Sequence, residues 1–349
     1  MTLNSSQKRT PASQLADFDY ALPEDRIARH PCAERDQARL LSVRNDTFSD
    51  YRVSDLPELL KAGDLLVAND TRVVPARCRM RRLTGAEIEV LFLRRPDGYT
   101  EAMVRKSRKL NEGETLYGPE GYTVSLVERL GEGRWRIDSK PSAMAVMSAI
   151  GQMPLPPYMK RDALPSDRER YQTTYAKSEG AIAAPTAGLH ITDGLRARIR
   201  ERQIGWATVT LHVGAGTFRP LRPSDIEAGE LHSEWYDVPQ STRQAIQDTR
   251  QRGGRVIAIG TTTTRALESA TPPDADLPTP GPGVTRLFIQ EAYSFRCVDG
   301  LLTNFHLPQS SLLFLVSAFT GRERLFNAYQ HALQHDYRFY SYGDAMLIL

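Results

Sequence analysis

Apolar and polar residues alternate along the stretch IGWATVTLHVGAG, residues 204–216, which predicts a strand with two unlike faces. One face carries Trp206, Thr208, Thr210 and His212, and the other carries Ala207, Val209, Leu211 and Val213. Gly214 and Gly216 follow, and glycine lets a backbone turn sharply or lie close against a ligand. We therefore expect a strand that ends in a polar turn.

Two continuous apolar runs, GDLLVAND at 63–70 and RVIAIG at 255–260, predict strands that are buried on both faces. Before the second run, Ser241 and Gln244 predict a helix that starts with a capping box, and Gly253 with Gly254 predicts its end. The run LLFLVSAF at 312–319 predicts a buried helix, and an amphipathic helix follows it. This succession predicts an α/β domain with a mixed sheet.

The middle of the chain has a different pattern, in which short strand-like stretches are separated by glycine turns. Regular short strands of this kind predict a small antiparallel β-barrel or sandwich, and we expect the barrel. The proline-rich stretch MPLPPY then returns the chain to the α/β pattern. We expect a mobile tail at 1–15, a discontinuous α/β catalytic domain at 16–70 and 154–349, and an inserted β-barrel domain at 71–153.

Charge balance, cysteine spacing and the length of the apolar runs indicate which class of protein this chain belongs to. Of the 349 residues, 45 are basic and 42 acidic, so a nucleic-acid surface would have to come from local clustering. The three cysteines have no disulfide or metal-ligand spacing, and the beginning of the chain has no apolar signal core. The longest apolar run is too short to span a bilayer. We expect a cytoplasmic protein with no membrane contact and no structural metal.

The string IGTTTTRALES, residues 259–269, predicts a threonine-rich helix start directly after a buried strand. A helix start offers free N–H groups and positive partial charge, so Gly260, Thr261 and Thr262 are candidates to bind an anion or a nucleotide hydroxyl. Arg265 and Glu268 are further candidates, although their spacing also allows a simple pair within the helix.

Four histidines adjoin predicted turns and are candidates for proton transfer near neutral pH: His190, His212, His232 and His306. Asp70 ends a predicted strand, a position where α/β enzymes bind ligands. Each histidine, taken singly, is also compatible with a purely structural role.

Basic residues cluster in the predicted barrel. Arg77, Arg79 and Arg81 share one face of a strand, and a second cluster contains Arg105, Lys106, Arg108 and Lys109. Such a stripe suits a phosphate backbone, and an ordinary solvated strand face explains it equally well.

In order along the chain, these motifs closely resemble those of the S-adenosylmethionine:tRNA ribosyltransferase-isomerases of queuosine biosynthesis. The resemblance covers almost all of the chain after the first ~15 residues. It includes LVANDTRVVPARC, VRKSRKLNEGE, APTAGLHIT, LHVGAGTFRPL, HSEWYDV, IAIGTTTTRALES and TNFHLPQSSLLFLVSAF. Ile191 departs from the family pattern, which usually has an aromatic residue there.

This resemblance implies transfer and isomerisation of the ribosyl group of S-adenosylmethionine. The acceptor would be the 7-aminomethyl-7-deazaguanine base at the tRNA wobble position, and the products epoxyqueuosine-tRNA, adenine and methionine. S-adenosylmethionine is then a consumed substrate, so no cofactor and no metal are expected. We expect a monomer.

The resemblance and the motifs together suggest three sets of site residues. For catalysis we expect His212, His190, His232, His306 and Asp70. For S-adenosylmethionine we expect Gly214, Gly216, Thr217, Gly260, Thr261, Thr262, Arg265 and Glu268. For tRNA we expect Arg77, Arg79, Arg81, Arg105, Lys106, Arg108 and Lys109.

Two other functions remain as alternatives. A conventional S-adenosylmethionine-dependent RNA methyltransferase would normally have a glycine-rich loop after its first strand and an acidic ribose ligand on the next, and the chain has no clear version of that order. A non-enzymatic RNA-binding protein would have little use for polar groups at strand ends. Release of free adenine from S-adenosylmethionine would distinguish the ribosyltransferase-isomerase from the methyltransferase and from the RNA-binding protein.

Overall fold

The computed structural model describes residues 10–95, 98–105 and 107–349. The strands are β1 Arg39–Arg44, β2 Thr47–Arg52, β3 Leu65–Asn69, β4 Thr71–Val73, β5 Arg77–Arg81, β6 Glu87–Arg95, β7 Gly98–Val104, β8 Thr115–Tyr117, β9 Thr123–Gly131, β10 Arg134–Lys140, β11 Ser178–Ala181, β12 Gly205–Leu211, β13 Glu230–Val238, β14 Val256–Ile259, β15 Gly281–Leu287, β16 Gly300–Asn304 and β17 Ala345–Ile348. The helices are α1 Pro11–Ala16, α2 Leu56–Leu59, α3 Ala143–Ile150, α4 Asp167–Arg170, α5 Asp193–Glu201, α6 Pro223–Ala228, α7 Gln240–Gln251, α8 Thr261–Ala270, α9 Ser311–Thr320 and α10 Arg322–Gln334.

Residue contacts divide the described chain into two compact units. Unit 1 contains the described residues up to Asn69, together with Thr186–Val209 and Arg219–Leu349. Unit 2 contains Asp70–Pro185 and Thr210–Phe218. These boundaries differ from the expected insertion at 71–153, because unit 2 also takes in the segment up to Pro185 and the loop around His212.

Pairing between strands within unit 2 accounts for its larger extent. Strand β4 pairs in parallel with β11, with Ser178 beside Thr71. The backbone N–H of Ile182 also donates to the carbonyl of Val213 at 3.1 Å. At the other end of the chain, α1 begins at Pro11, inside the segment expected to be a mobile tail.

A mixed sheet of nine strands organises unit 1, in the order β15-β13-β12-β3-β14-β16-β17-β1-β2. Strands β12, β3, β14 and β16 run parallel, and β17 pairs antiparallel with β16. Every residue of β3, β14 and β16 is buried, as the continuous apolar runs predict for strands covered on both faces. The predicted α/β fold with a mixed sheet is confirmed.

Several predicted helix boundaries agree with the structure, and one does not. Strand β14 leads directly into α8, and α9 covers the run LLFLVSAF, both as predicted. The predicted capping box at Ser241 is wrong, because α7 already begins at Gln240 with Pro239 as its N-cap. The fixed φ of proline suits the residue at a helix start, and Pro239 precedes the serine.

A closed antiparallel barrel organises unit 2, in the order β10-β7-β6-β5-β8-β9, and it confirms the predicted small β-barrel. Its core contains fully buried large side chains, among them Trp135 and Phe92, and α3 adds Val146 and Met147. Within the described residues, no helix combines the length and the apolar character that a membrane crossing needs.

Candidate active site

The parallel strands of unit 1 end in polar residues that lie against one another. We call Asn69, Gly260, Thr262, His190 and Asn304 the strand-end group. Strands β3 and β16 end at Asn69 and Asn304, and β14, which lies between them, leads into Gly260. The Asn69 Nδ2 donates to Thr262 Oγ1 at 3.2 Å, and Asn304 Nδ2 lies 3.1 Å from His190 Nε2. Ligands of α/β sheets bind at this edge of the strands.

The start of α8 has no side-chain cap, since its N-cap is Gly260 with φ of 88°. That positive φ is why the turn favours glycine. Thr263 and Thr264 donate to carbonyls one turn earlier, at 2.7 and 3.3 Å, so both hydroxyls are used within the helix. Thr262 is the half-buried member of the four threonines, and its neighbours are buried. The uncapped N–H groups and Thr262 therefore form the part of this turn that suits a ligand.

Arg265 pairs across the sheet rather than within its helix. Its Nη1 donates to Glu234 Oε2, and its Nε donates to the carbonyl of Leu287 at 3.1 Å. His232 Nε2 lies 3.2 Å from Glu234 Oε1, without hydrogen-bond geometry. Arg265 and Glu234 are both buried. The alternative of an Arg265–Glu268 pair is wrong, and the Arg265–Glu234 pair joins α8 to β13.

Glu268 is completely buried and is surrounded by donors from the loop before β16. Its Oε1 accepts from the backbone N–H groups of Cys297 and Val298, both at 3.0 Å. Its Oε2 accepts from the Tyr293 hydroxyl at 3.0 Å and the Arg296 N–H at 3.1 Å. These contacts are those of a structural anchor, and they leave the carboxylate no exposed surface for a ligand.

Unit 2 contains a group of polar residues that we call the Asp70–His212 cluster: Asp70, Thr71, Arg94, Thr210 and His212. All of them except Arg94 are buried. Asp70 Oδ1 accepts from the Thr210 hydroxyl at 2.6 Å. Its Oδ2 has no hydrogen-bond partner among the described residues. The Asp70 carboxylate is therefore oriented through one oxygen and available through the other.

Both ring nitrogens of His212 are in contact with neighbours. Nδ1 lies 2.8 Å from Thr71 Oγ1, and Nε2 lies 3.0 Å from Arg94 Nη1. An arginine only donates, so Nε2 accepts and the proton of the neutral ring is on Nδ1. Burial and then the charge of Arg94 lower the pKa of His212 to about 4. At neutral pH the His212 ring is therefore uncharged, and its Nε2 lone pair already accepts a hydrogen bond from Arg94.

His190 and His306 are more deeply enclosed. Complete burial lowers the pKa of His190 to about 4 and that of His306 to about 3. His306 Nε2 lies 3.0 Å from Thr303 Oγ1, and its backbone N–H donates to the Tyr329 hydroxyl at 2.9 Å. Both rings are neutral across the physiological range, and the surroundings of His306 are those of a core residue.

The glycine turn after β12 lies in unit 2. Gly214 has an ordinary φ, and a Cβ there would meet no atom within 4 Å. The Thr217 N–H donates to the Gly214 carbonyl at 3.2 Å, within a short 3-10 helix over Ala215–Phe218. Gly216 is half-buried and Thr217 is exposed. Neither crowding nor backbone strain requires a glycine at position 214. The space beside Gly214 is open, and a ligand could approach the backbone there.

The basic residues of the barrel differ in accessibility. In β5, Arg77, Arg79 and Arg81 face outward and alternate with buried Cys78 and Met80, as predicted. The Arg77 side chain is only 17% exposed; it lies 3.7 Å from Glu89 and donates to the Leu155 carbonyl at 2.9 Å.

Other members of the basic set are exposed. Arg79 pairs with Asp162, and Arg105 lies 3.4 Å from Glu89. Arg81, Arg108 and Lys109 are exposed and have no ion pair among the described residues. Lys106 lies outside the described residues. Arg81, Arg108 and Lys109 are thus the basic residues best placed to meet phosphates.

Sequence reasoning missed Arg94, Thr71 and Asn304. Arg94 is the second-last residue of barrel strand β6, and only the fold brings it to His212. Asn304 ends a buried strand, the same local signal that identified Asp70, so that signal could have found it. The three cysteines are free, and burial raises the pKa of the Cys78 and Cys297 thiols to about 12, so neither is a thiolate near neutral pH.

Comparison with known proteins gives consistent matches over almost the whole chain. A sequence model of the family described as queuosine biosynthesis protein matches residues 15–348. The S-adenosylmethionine:tRNA ribosyltransferase-isomerase of Geotalea uraniireducens is 44% identical over 342 residues, which cover 96% of this chain and 99% of that protein. That of Gloeobacter violaceus is 48% identical over 338 residues, or 95% of each chain.

A solved structure agrees with these relatives. The crystal structure of an S-adenosylmethionine tRNA ribosyltransferase from Thermotoga maritima is 32% identical to this chain, with a TM-score of 0.54. The match covers 95% of this chain and 100% of that one.

Proposed function

Because this chain belongs to the queuosine biosynthesis protein family, we propose that it is an S-adenosylmethionine:tRNA ribosyltransferase-isomerase. The observation that carries this proposal is the match with enzymes of that name at 44–48% identity over 95% or more of both chains. The chain is an enzyme. Its substrates are S-adenosylmethionine and tRNA, and we place the reaction in the cytoplasm because tRNA is its substrate.

We propose the finer reaction as follows. The amine of 7-aminomethyl-7-deazaguanine at the tRNA wobble position forms a bond to the ribosyl carbon chain. The ribosyl group loses adenine and methionine and rearranges to the epoxide-bearing ring of epoxyqueuosine. This chemistry needs a base to remove the acidic proton on the 5′ carbon beside the sulfonium, and an acid for departing adenine. S-adenosylmethionine supplies both leaving groups, so we propose that no further cofactor or metal takes part.

For binding of S-adenosylmethionine we propose the strand-end group of unit 1. The uncapped start of α8 offers N–H donors and positive partial charge, which suit the carboxylate of the methionine moiety or a ribose hydroxyl. Asn69 holds the Thr262 hydroxyl through a hydrogen bond of 3.2 Å, so that hydroxyl is already oriented before a ligand arrives. Preorganised donors lose less entropy on binding than mobile ones.

For the proton acceptor we propose Asp70. A general base needs an accessible lone pair, and Asp70 has an oxygen without a partner while Thr210 orients the other. His212 is less suited to accept the proton, since Arg94 occupies its Nε2 and its pKa is lowered to about 4. We propose that His212 instead holds Thr71 and Arg94 in position, on the evidence of its contacts with both.

The deciding experiment measures adenine released from S-adenosylmethionine in the presence of tRNA with the 7-aminomethyl-7-deazaguanine base. We expect one adenine and one methionine for each modified tRNA, and none with the same tRNA carrying ordinary guanine. Formation of S-adenosylhomocysteine with a methylated tRNA would identify a methyltransferase instead. Binding of tRNA with no turnover of S-adenosylmethionine would leave only an RNA-binding protein.

A further inference from the structure

A group of three potential metal ligands lies in unit 1, apart from the residues described so far. Asp50 comes from β2, His331 from the last turn of α10, and His335 caps that helix. One ligand atom from each lies within 4.8 Å of the others, and Asp50 and His335 are exposed to solvent. We propose that Asp50, His331 and His335 bind a single Zn²⁺ ion, which ties the edge strand β2 to the end of α10.

The helix supplies two imidazoles in a suitable arrangement. His331 and His335 are four residues apart, so they lie on the same side of α10. Their rings are stacked, with centroids 4.0 Å apart and an angle of 20° between the planes. The His335 Nδ1 lies 2.8 Å from the His331 carbonyl oxygen. A carbonyl only accepts, so Nδ1 carries the proton and Nε2 of His335 presents its lone pair to a metal.

The distance between Asp50 and His331 fits two ligands on one metal. His331 Nε2 lies 3.1 Å from Asp50 Oδ2 and 3.3 Å from Oδ1. A carboxylate only accepts, so Nε2 carries a proton in this contact and releases it when a metal binds. Bonds of ~2.0–2.1 Å at tetrahedral angles place two ligand atoms about 3.3 Å apart. The set of two histidines and one carboxylate is one that Zn²⁺ binds with a water in the fourth position.

Asp50 is held in place by a neighbour that leaves Oδ2 available to the metal. The Tyr337 hydroxyl donates to Asp50 Oδ1 at 2.5 Å, and Tyr337 is buried. Hydrogen bonds of this kind orient a ligating carboxylate. Arg39 lies 3.6 Å from Oδ1 and stacks over the Tyr337 ring, so its charge limits the affinity for a dication. Arg39 approaches Oδ1, whereas His331 Nε2 is closer to Oδ2, at 3.1 Å, than to Oδ1, at 3.3 Å.

The test is a calorimetric titration of the full chain with Zn²⁺ after chelator treatment, with Co²⁺ absorption as a spectroscopic measurement. We expect one equivalent of Zn²⁺ to bind, and the melting temperature to rise with the concentration of free Zn²⁺. The Co²⁺ absorption spectrum should be that of a four-coordinate ion. His335→Ala should weaken binding at least about tenfold, and Tyr337→Phe by about 10- to 100-fold. His30→Ala changes another exposed histidine of unit 1 and should leave affinity unchanged.

Two results would overturn the proposal. One is the absence of saturable binding in the unaltered protein. The other is the same affinity in His335→Ala and in His331→Gln as in the unaltered chain. His335 is exposed, so its replacement tests the site without disturbing the core. These readouts are independent of turnover, so they do not depend on the proposed function.

Discussion

Replacement of Glu268 by alanine should destabilise the protein without abolishing its affinity for S-adenosylmethionine. Glu268 accepts from the backbone N–H groups of Cys297 and Val298 at 3.0 Å each, and both residues are buried. Alanine removes the acceptor and leaves two buried donors without a partner. Such a donor costs about 1–3 kcal/mol, so the loss is about 2–6 kcal/mol.

Urea unfolding followed by circular dichroism measures this loss, and calorimetry measures affinity for S-adenosylmethionine. In a thermal scan, at ~2–4 °C per kcal/mol for a domain of 150–250 residues, the melting temperature should fall by roughly 4–24 °C. Glu268→Gln keeps one oxygen for the Cys297 and Val298 donors, so it should cost less than alanine. If Glu268→Ala keeps the urea midpoint of the unaltered protein and loses ligand binding, Glu268 is a ligand-binding residue and the structural interpretation is wrong.

The remaining predictions concern the site, the RNA surface and acid stability. Asp70→Asn should lower turnover by ~10²-fold or more while ligand affinity persists, measured by adenine release. Thr262→Val should raise the KM for S-adenosylmethionine more than that for tRNA. Arg81→Ala should weaken tRNA binding and reduce its salt slope by about 1. Because the pKa values of His190 and His306 are lowered to about 4 and 3, stability should be complete above pH ~6.5 and fall towards pH 4 in urea titrations.

Matched variants distinguish these effects from general damage. Thr264→Val changes a hydroxyl that already bonds inside α8, so it should leave the KM for S-adenosylmethionine near its original value. Arg136→Ala alters an exposed barrel arginine outside the basic set and should leave tRNA affinity unchanged. Normal turnover in Asp70→Asn would transfer the proton-acceptor role to another group, with His212 the first to test. A urea midpoint that does not change between pH 7 and 4 would contradict the assignment of neutral buried histidines.

Local patterns predicted those features that depend on neighbours in sequence. The alternation in β5 predicted which face Arg77 and Arg81 share, and the apolar run before Gly260 predicted the strand and the helix after it. The capping box at Ser241 failed because a proline two residues earlier had already started α7. The serine capping box and the proline both signal a helix start within the same three residues. The helix starts at the proline because the proline backbone is the more restricted of the two.

Partners that are distant in sequence could not be predicted in the same way. Glu268 looked like a ligand-binding residue because it follows a threonine-rich helix start, yet its partners come from a loop almost thirty residues later. Arg77 looked like a phosphate contact because of its type and face, and its ion pair with Glu89 became visible only in the barrel register. Residue type and spacing thus gave candidate sets, and tertiary contacts separated anchors from accessible groups.

The crowding around Gly180 restricts which sequences this protein can explore by mutation. Gly180 has φ of 150°, and a Cβ there would lie 2.5 Å from Arg94 Nη1 and 2.9 Å from His212 Cε1. Any other residue at 180 would have to displace the guanidinium that holds His212, whereas its neighbour Glu179 has a half-exposed side chain. A library of single substitutions selected for activity should therefore retain only glycine at 180 and many residue types at 179.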